Sequence, residues 1–130
     1  MSWQQYVDSN LVGTGKVTQA AIYGAQGGLW AASSGFQASH RLQPNEVQAI
    51  TKAFSDPSDI RANGLHVNNV KYFTLRADDR VIYGKKNATG VVLAKTTQAI
   101  LIGVYGEGQQ AGDANKVVEG LADYLISVGY

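Results

Sequence analysis

Between Gly64 and Tyr105 the chain is divided into short apolar, β-branched segments by turn-prone separators, and this spacing constrains the fold most. The segments are Leu65 to Val67, Val70 to Arg76, Val81 to Tyr83, Val91 to Lys95 and Ala99 to Tyr105. Their separators include Asn68-Asn69, Asp78-Asp79, Asn87 to Gly90 and Thr96-Thr97. Parallel neighbours need crossovers of a dozen or more residues, so such short links predict an antiparallel meander. Upstream, Lys16 to Tyr23 and Leu29 to Ser33 flank the glycine-rich Gly24 to Gly28 and read as a hairpin.

Three helices complete the pattern. Ser2 caps the first, with Gln5 three residues on to close a capping box. Trp3, Val7, Asn10 and Leu11 follow at helical spacing, and Gly13 and Gly15 end the element. Pro44 opens a second helix with Glu46 in its first turn and Val47, Ile50 and Phe54 on one face, and Asp56-Pro57 stops it. The last runs from about Asp113 to Ser127, with Val117, Leu121, Leu125 and Val128 on one face. The architecture predicted is α+β: one central antiparallel β-sheet flanked by helices, in a single domain over residues 1–130.

Composition removes several function classes. There is no cysteine, which excludes disulfide frameworks, thiolate nucleophiles and Cys-based metal centres. The start of the chain shows no signal-peptide pattern, and Ala99 to Val104 falls far short of the ~20 apolar residues of a membrane span. A soluble intracellular protein is expected. Charged residues are only 16% and the net charge is +1, which argues against a general nucleic-acid binder.

Three local motifs fail on their chemistry. Gly106 to Ala111 fits the loose G-x-G-x-x-A pattern, but no strand with a ribose-binding acid follows, so it reads as a turn. Tyr83-Gly-Lys-Lys86 lacks the Ser or Thr and the upstream glycine of a phosphate loop. Asn87-Ala-Thr89 is a formal sequon that without secretion is only a turn. His40 and His66 are the only histidines, and neither stands at ligand spacing or beside a serine nucleophile. No metal site, cofactor or catalytic residue is expected.

Aromatic and charge placement carry more information. Trp3 and Tyr6 lie one helical turn apart, Trp30 is the only other tryptophan, and Tyr124 and Tyr130 lie near the carboxyl terminus. Such residues can form a platform of flat apolar faces with N–H and O–H groups at the rim, suited to polyproline II ligands. Between Lys71 and Lys95 six basic residues meet only Asp78 and Asp79, a net +4, while the rest of the chain carries −3. That basic stretch suits an acidic protein or anionic lipid headgroups, or simply protects a solvated sheet edge.

The chain resembles the profilins over essentially its whole length. The resemblance rests on Ser2-Trp-Gln-Gln-Tyr-Val-Asp8, Gly28-Leu-Trp-Ala31, Lys71-Tyr-Phe73, Tyr83-Gly-Lys-Lys86, Gly90-Val-Val and Leu121-Ala-Asp-Tyr-Leu-Ile126, in this order and spacing. It implies a profilin-like sheet with the N- and C-terminal helices packed together on one face. It also implies a cytoplasmic, cytoskeletal protein without enzymatic activity or cofactor. This protein would bind monomeric actin and proline-rich segments of actin regulators, with phosphoinositides as third ligands. The matching proline-site positions are Trp3, Tyr6, Trp30, Tyr124, Leu125 and Tyr130. Those of the actin surface are Arg76, Lys85, Lys86, Asn115, Lys116 and Glu119, and Arg76, Arg80, Lys85 and Lys86 would meet the lipid. Two readings compete with this one: a small-ligand or lipid-sensing module with no actin partner, and a hydrolase using His66. Sites, not fold, decide among them.

Overall fold

A computed structural model describes residues 2–26, 28–33, 44–67 and 70–130. His40, the Asn68-Asn69 turn and part of the Gly24 to Gly28 loop lie outside the described residues.

The N-terminal helix starts as read. Gln5 N–H donates to Ser2 Oγ, and the Ser2 N–H donates to Gln5 Oε1, so the capping box is closed. Only Trp3–Gln5, here α1, is regular α-helix; Tyr6–Leu11 widens into a π-helical segment, and Val12–Thr14 tightens to 3-10 geometry. The Val12 N–H reaches back five residues to the Val7 carbonyl. Gly15 ends the run at φ 77°, a left-handed conformation that glycine adopts without steric cost.

Strands β1 (Gln19–Gly24) and β2 (Leu29–Ala32) form the expected hairpin. Next come helices α2 (Pro44–Ala53) and α3 (Ser58–Asn63), the latter a short element that the sequence pattern did not announce. With six residues it is too short to show a helical period. It is pinned to the sheet by Ile60, which is buried, and by the Thr74 hydroxyl donating to the Ile60 carbonyl.

The meander follows as β3 (Leu65–Val67), β4 (Val70–Ala77), β5 (Val81–Lys86), β6 (Thr89–Lys95) and β7 (Ala99–Tyr105). Every described pairing is antiparallel, and the strands stand in the order β2-β1-β7-β6-β5-β4-β3. The segment carrying α2 and α3 therefore crosses to the far edge, and the meander returns until β7 docks on β1 with Ala21 opposite Ile102. Asn87 turns the β5–β6 hairpin at φ 54°, so the formal sequon is a tight turn. Gly106 to Gln110 links β7 to α4 (Ala111–Ser127) through a turn closed by the Gln109 side chain, which accepts from Gly106 N–H.

The sheet separates two apolar layers. On one side Tyr6, Val7 and Leu11 of the N-terminal helix and Val118, Leu121 and Leu125 of α4 pack against Ile22, Val92 and Leu101. On the other, Ile50 and Phe54 from α2 and its end, with Ile60 of α3, cover Leu65, Ile82, Leu93 and Ile102. The N- and C-terminal helices share one face, as the resemblance implied.

Candidate functional site

The chain's two ends converge on an aromatic row. Trp30 on β2 meets Trp3 with ring centroids 4.8 Å apart. Trp3 in turn lies 5.7 Å from Tyr6, and Tyr6 lies 6.4 Å from Tyr124 on α4. Tyr130 stands edge-on to Trp3 at 5.1 Å. Trp30, Tyr124 and Tyr130 are exposed while Tyr6 is buried beneath them. Leu125 is fully buried in the core and carries the row from below rather than lining its surface.

Several residues that the sequence reading did not single out hold this row. Gln4 Nε2 donates to the Ala32 carbonyl, tying the first helix to the strand that bears Trp30. A methyl group at Gly24 would lie 2.8 Å from Trp30 Nε1, so the indole rests flat over the glycine backbone. The main-chain oxygen of Tyr130 accepts from the Gln98 N–H at 2.6 Å and from the Thr96 hydroxyl at 2.8 Å. These tethers come from the β6–β7 turn, far from Tyr130 in sequence, so no local pattern could announce them. Burial raises the Tyr6 hydroxyl above its ordinary value, with nearby Tyr124 adding to the effect. Together the rings offer flat apolar surface with hydroxyl and indole donors at its edge.

A second region lies on the opposite flank of α4. The Tyr83 hydroxyl donates to Glu119 Oε2, and Arg76 stacks over the Tyr83 ring at 5.8 Å. Burial, then the Glu119 hydrogen bond, pushes the Tyr83 phenol up to about 12. Asp78 accepts from the backbone N–H groups of Arg80 and Val81 and from the Arg76 guanidinium. Those contacts, the backbone ones foremost, hold its carboxyl below the usual range. Arg80 also reaches Asp123 at 3.6 Å. A mixed-charge cleft of about 270 Å³ runs among these groups.

The cations of the basic stretch therefore differ in availability. Arg76 and Arg80 are ion-paired, whereas Lys85 and Lys86 are exposed and unpaired among the described residues. On α4, Lys116 is exposed, and Asn115 and Glu119 are half-buried one turn apart. Beside Lys85 the sequence reading missed two apolar groups: Phe73, 76% exposed, and Leu75, 62% exposed. Their signal was Tyr72-Phe73 and Leu75 in one strand, which makes both faces of β4 apolar while α3 covers only one.

His66 is exposed on β3 opposite Lys71. Among the described residues no cluster of His, Asp and Glu could hold a metal, and no helix is long and apolar enough to cross a membrane.

A small α+β protein with an aromatic platform on one flank of a helix and a charged, partly apolar surface on the other has the form of a two-surface binding module. Comparison with known proteins narrows this further. The profilin family model matches residues 1–130. Profilin-2 of Acanthamoeba castellanii is 55% identical over 130 residues, covering all of both chains. The crystal structure of Acanthamoeba castellanii profilin II has a TM-score of 0.93 and 54% identity, covering 99% of this chain and 100% of that one. Mouse profilin IIa, solved in complex with a double repeat from the FH1 domain of mDia1, shares the fold at a TM-score of 0.77 and 23% identity, with full coverage of both chains. The chain belongs to the profilin family, whose members are non-enzymatic actin-binding proteins.

Proposed function

We propose that this protein binds monomeric actin and proline-rich segments at once, and so regulates actin polymerisation in the cytoplasm. The observation that carries the proposal is the continuous ring row Trp30–Trp3–Tyr6–Tyr124, with Tyr130 against Trp3 and with Trp30, Tyr124 and Tyr130 exposed. A polyproline II helix is preformed, so little entropy is lost on binding, and its free carbonyls accept from indole and phenol donors. The mouse relative solved with an FH1 repeat supports the same ligand class. In this reading Trp3 and Trp30 form the floor, Tyr6 and Tyr124 flank it, Tyr130 closes the end, and Leu125 supports it from the core.

Actin would meet the other flank of α4 through Lys85, Lys86, Asn115 and Lys116, with Phe73 and Leu75 as apolar contacts. Arg76 and Glu119 contribute there mainly by holding Tyr83. Exposed cations suit an acidic partner and speed its encounter. Because α4 separates the two surfaces, one partner does not cover the other's site. Phosphoinositides are the narrower part of the proposal. Of Arg76, Arg80, Lys85 and Lys86, only the two lysines are free to meet a headgroup without breaking an ion pair.

Two titrations test the reading. Poly-L-proline should change the intrinsic tryptophan fluorescence saturably, since both tryptophans lie in the row. In parallel, the protein should slow spontaneous polymerisation of actin monomers with or without bound proline peptide. A folded sample whose fluorescence ignores poly-L-proline would remove the groove assignment. Competition between actin and the peptide would remove the two-surface arrangement.

A further inference from the structure

Where α3 hands over to β3 stands Asn63-Gly64, the only asparagine–glycine step in the chain. Neither residue belongs to the two binding surfaces. An asparagine followed by glycine is chemically vulnerable, because no β-carbon on the second residue hinders attack by its backbone nitrogen. That nitrogen gives up its proton and bonds to the asparagine Cγ, the Cγ–Nδ2 bond breaks, and ammonia leaves with the proton. Water then opens the five-membered imide. Opening at the side-chain carbonyl gives aspartate, and opening at the main-chain carbonyl gives isoaspartate. Water is the only co-reactant, and nothing is oxidised or reduced.

In the folded protein both reacting groups are engaged. The Gly64 N–H donates to the Ile60 carbonyl at 3.0 Å, and Asn63 Nδ2 donates to Asp59 Oδ1 at 2.8 Å. The Ile60 carbonyl also accepts from the Thr74 hydroxyl at 2.6 Å, so one oxygen ties the end of α3 to both Gly64 and β4. Glycine is required at 64: its φ is 88°, and a methyl group there would lie 2.8 Å from Lys71 Cε and 3.1 Å from the Tyr72 carbonyl oxygen. The vulnerable step is therefore built into the fold. Asn63 itself is exposed, and α3 has only six residues, so its last turn is the kind of segment that opens locally.

We propose that Asn63-Gly64 is an isoaspartate-forming modification site gated by the last turn of α3. Opening of that turn frees the Gly64 nitrogen to lose its proton and attack. The isoaspartyl product adds one main-chain carbon between residues 63 and 64, which carries the Gly64 N–H away from Ile60. It also sets a carboxylate beside Asp59 at the end of the helix, where negative charge is unfavourable. The modification thus holds open the turn that admitted it and loosens α3 over Leu65 and Ile82. An exposed isoaspartyl carboxylate is the group methylated by S-adenosylmethionine-dependent isoaspartyl methyltransferases, so an enzyme of that class is the partner this site would take.

The test ages the folded protein at mildly alkaline pH and locates isoaspartate by peptide mapping and by enzymatic methylation. Asn87 serves for comparison, since it precedes Ala88, whose β-carbon hinders the same attack. Residue 63 should carry most of the isoaspartate, and Asn63→Gln should remove that signal. Thr74→Val takes the hydroxyl from the Ile60 carbonyl and should speed the reaction at 63 about fivefold, leaving Asn87 unchanged. The urea-unfolded parent should react at 63 about tenfold or more faster than the folded one. Isoaspartate formed mainly at Asn87 would overturn the site. Equal rates at 63 in folded and unfolded protein would overturn the gate, as would an unchanged rate in Thr74→Val or a rise shared equally by Asn87. If the valine variant does not fold, hydrogen exchange in the parent decides: a Gly64 amide that exchanges as slowly as the central strands would overturn the gate, and a faster one upholds it.

Discussion

The two flanks of α4 are built from different materials. On one, rings from residues 3, 6, 30, 124 and 130 touch one another, although they come from both ends of the chain and from β2. On the other, the charged groups of β4, β5 and their turn are near neighbours in sequence and meet α4 only through Tyr83–Glu119 and Arg80–Asp123. The aromatic flank is cooperative: each ring is a wall for the next, and the tethers from Thr96 and Gln98 fix the last one. On the charged flank the cations offered to a partner, Lys85, Lys86 and Lys116, are exposed and without ion pairs among the described residues, each worth little and each screened by salt. One surface should fail as a unit, the other by degrees.

The sharpest way to break that contrast is Trp3→Ala. Trp3 touches Tyr6, Trp30 and Tyr130, so its removal should weaken poly-L-proline binding about 30-fold or more, roughly 2 kcal/mol at a hot spot. Actin-monomer sequestration by the same variant should match the parent, as a polymerisation assay checks. A small loss would mean that the rings act singly.

Lys86→Glu probes the other flank. Reversing an exposed, unpaired cation should weaken actin binding about tenfold at low salt, with a smaller effect at high salt. Proline binding should be unchanged. Anionic vesicles containing phosphoinositide should also bind this variant more weakly, since Lys86 is exposed and forms no ion pair among the described residues.

Thr96→Val tests whether the tether matters to the row. The Thr96 hydroxyl donates to the Tyr130 main-chain oxygen and accepts from the buried Ala99 N–H, so the variant leaves a donor unpaired. Denaturant unfolding should show a loss of about 1–3 kcal/mol, and proline affinity should fall about threefold as Tyr130 loosens. Unchanged proline affinity in the destabilised variant would show that Tyr130 is held by its ring contacts alone.

The smallest effect concerns Tyr83. Its ordinary value is 10.0 and its folded value about 12, so folding favours the neutral phenol. The stability this contributes is complete below pH 10 and lost as pH rises through about 12. Glu119→Gln removes the carboxylate charge that faces the Tyr83 hydroxyl but not burial, the first cause. Phenolate absorbance should therefore show one tyrosine titrating earlier than in the parent, but still above its ordinary value.

Much of the fold was legible in the chain itself, for physical reasons that act locally. The capping box of Ser2 and Gln5, the turn residues Asp78-Asp79 and Asn87, and the alternation of the strands each depend on residues a few positions apart. The resemblance then pointed to the residues that form the row. What the pattern could not carry was α3, too short for a period, and the π-helical widening at Tyr6–Leu11. Nor could it show that Phe73 and Leu75 are left uncovered, because that depends on which helices reach which strands.

The sequence by itself determined the element types, the antiparallel pairing within the meander and the polarity of each flank, since spacing, turn chemistry and charge are properties of neighbours. Only the tertiary structure decided the strand order, the docking of β7 on β1 and the closure of residues 3, 30 and 130 into one row. It also decided which cations stay free and which are neutralised by Asp78 and Asp123. Those outcomes follow from burying two apolar layers against one sheet, and that bargain is struck over the whole chain rather than within any segment.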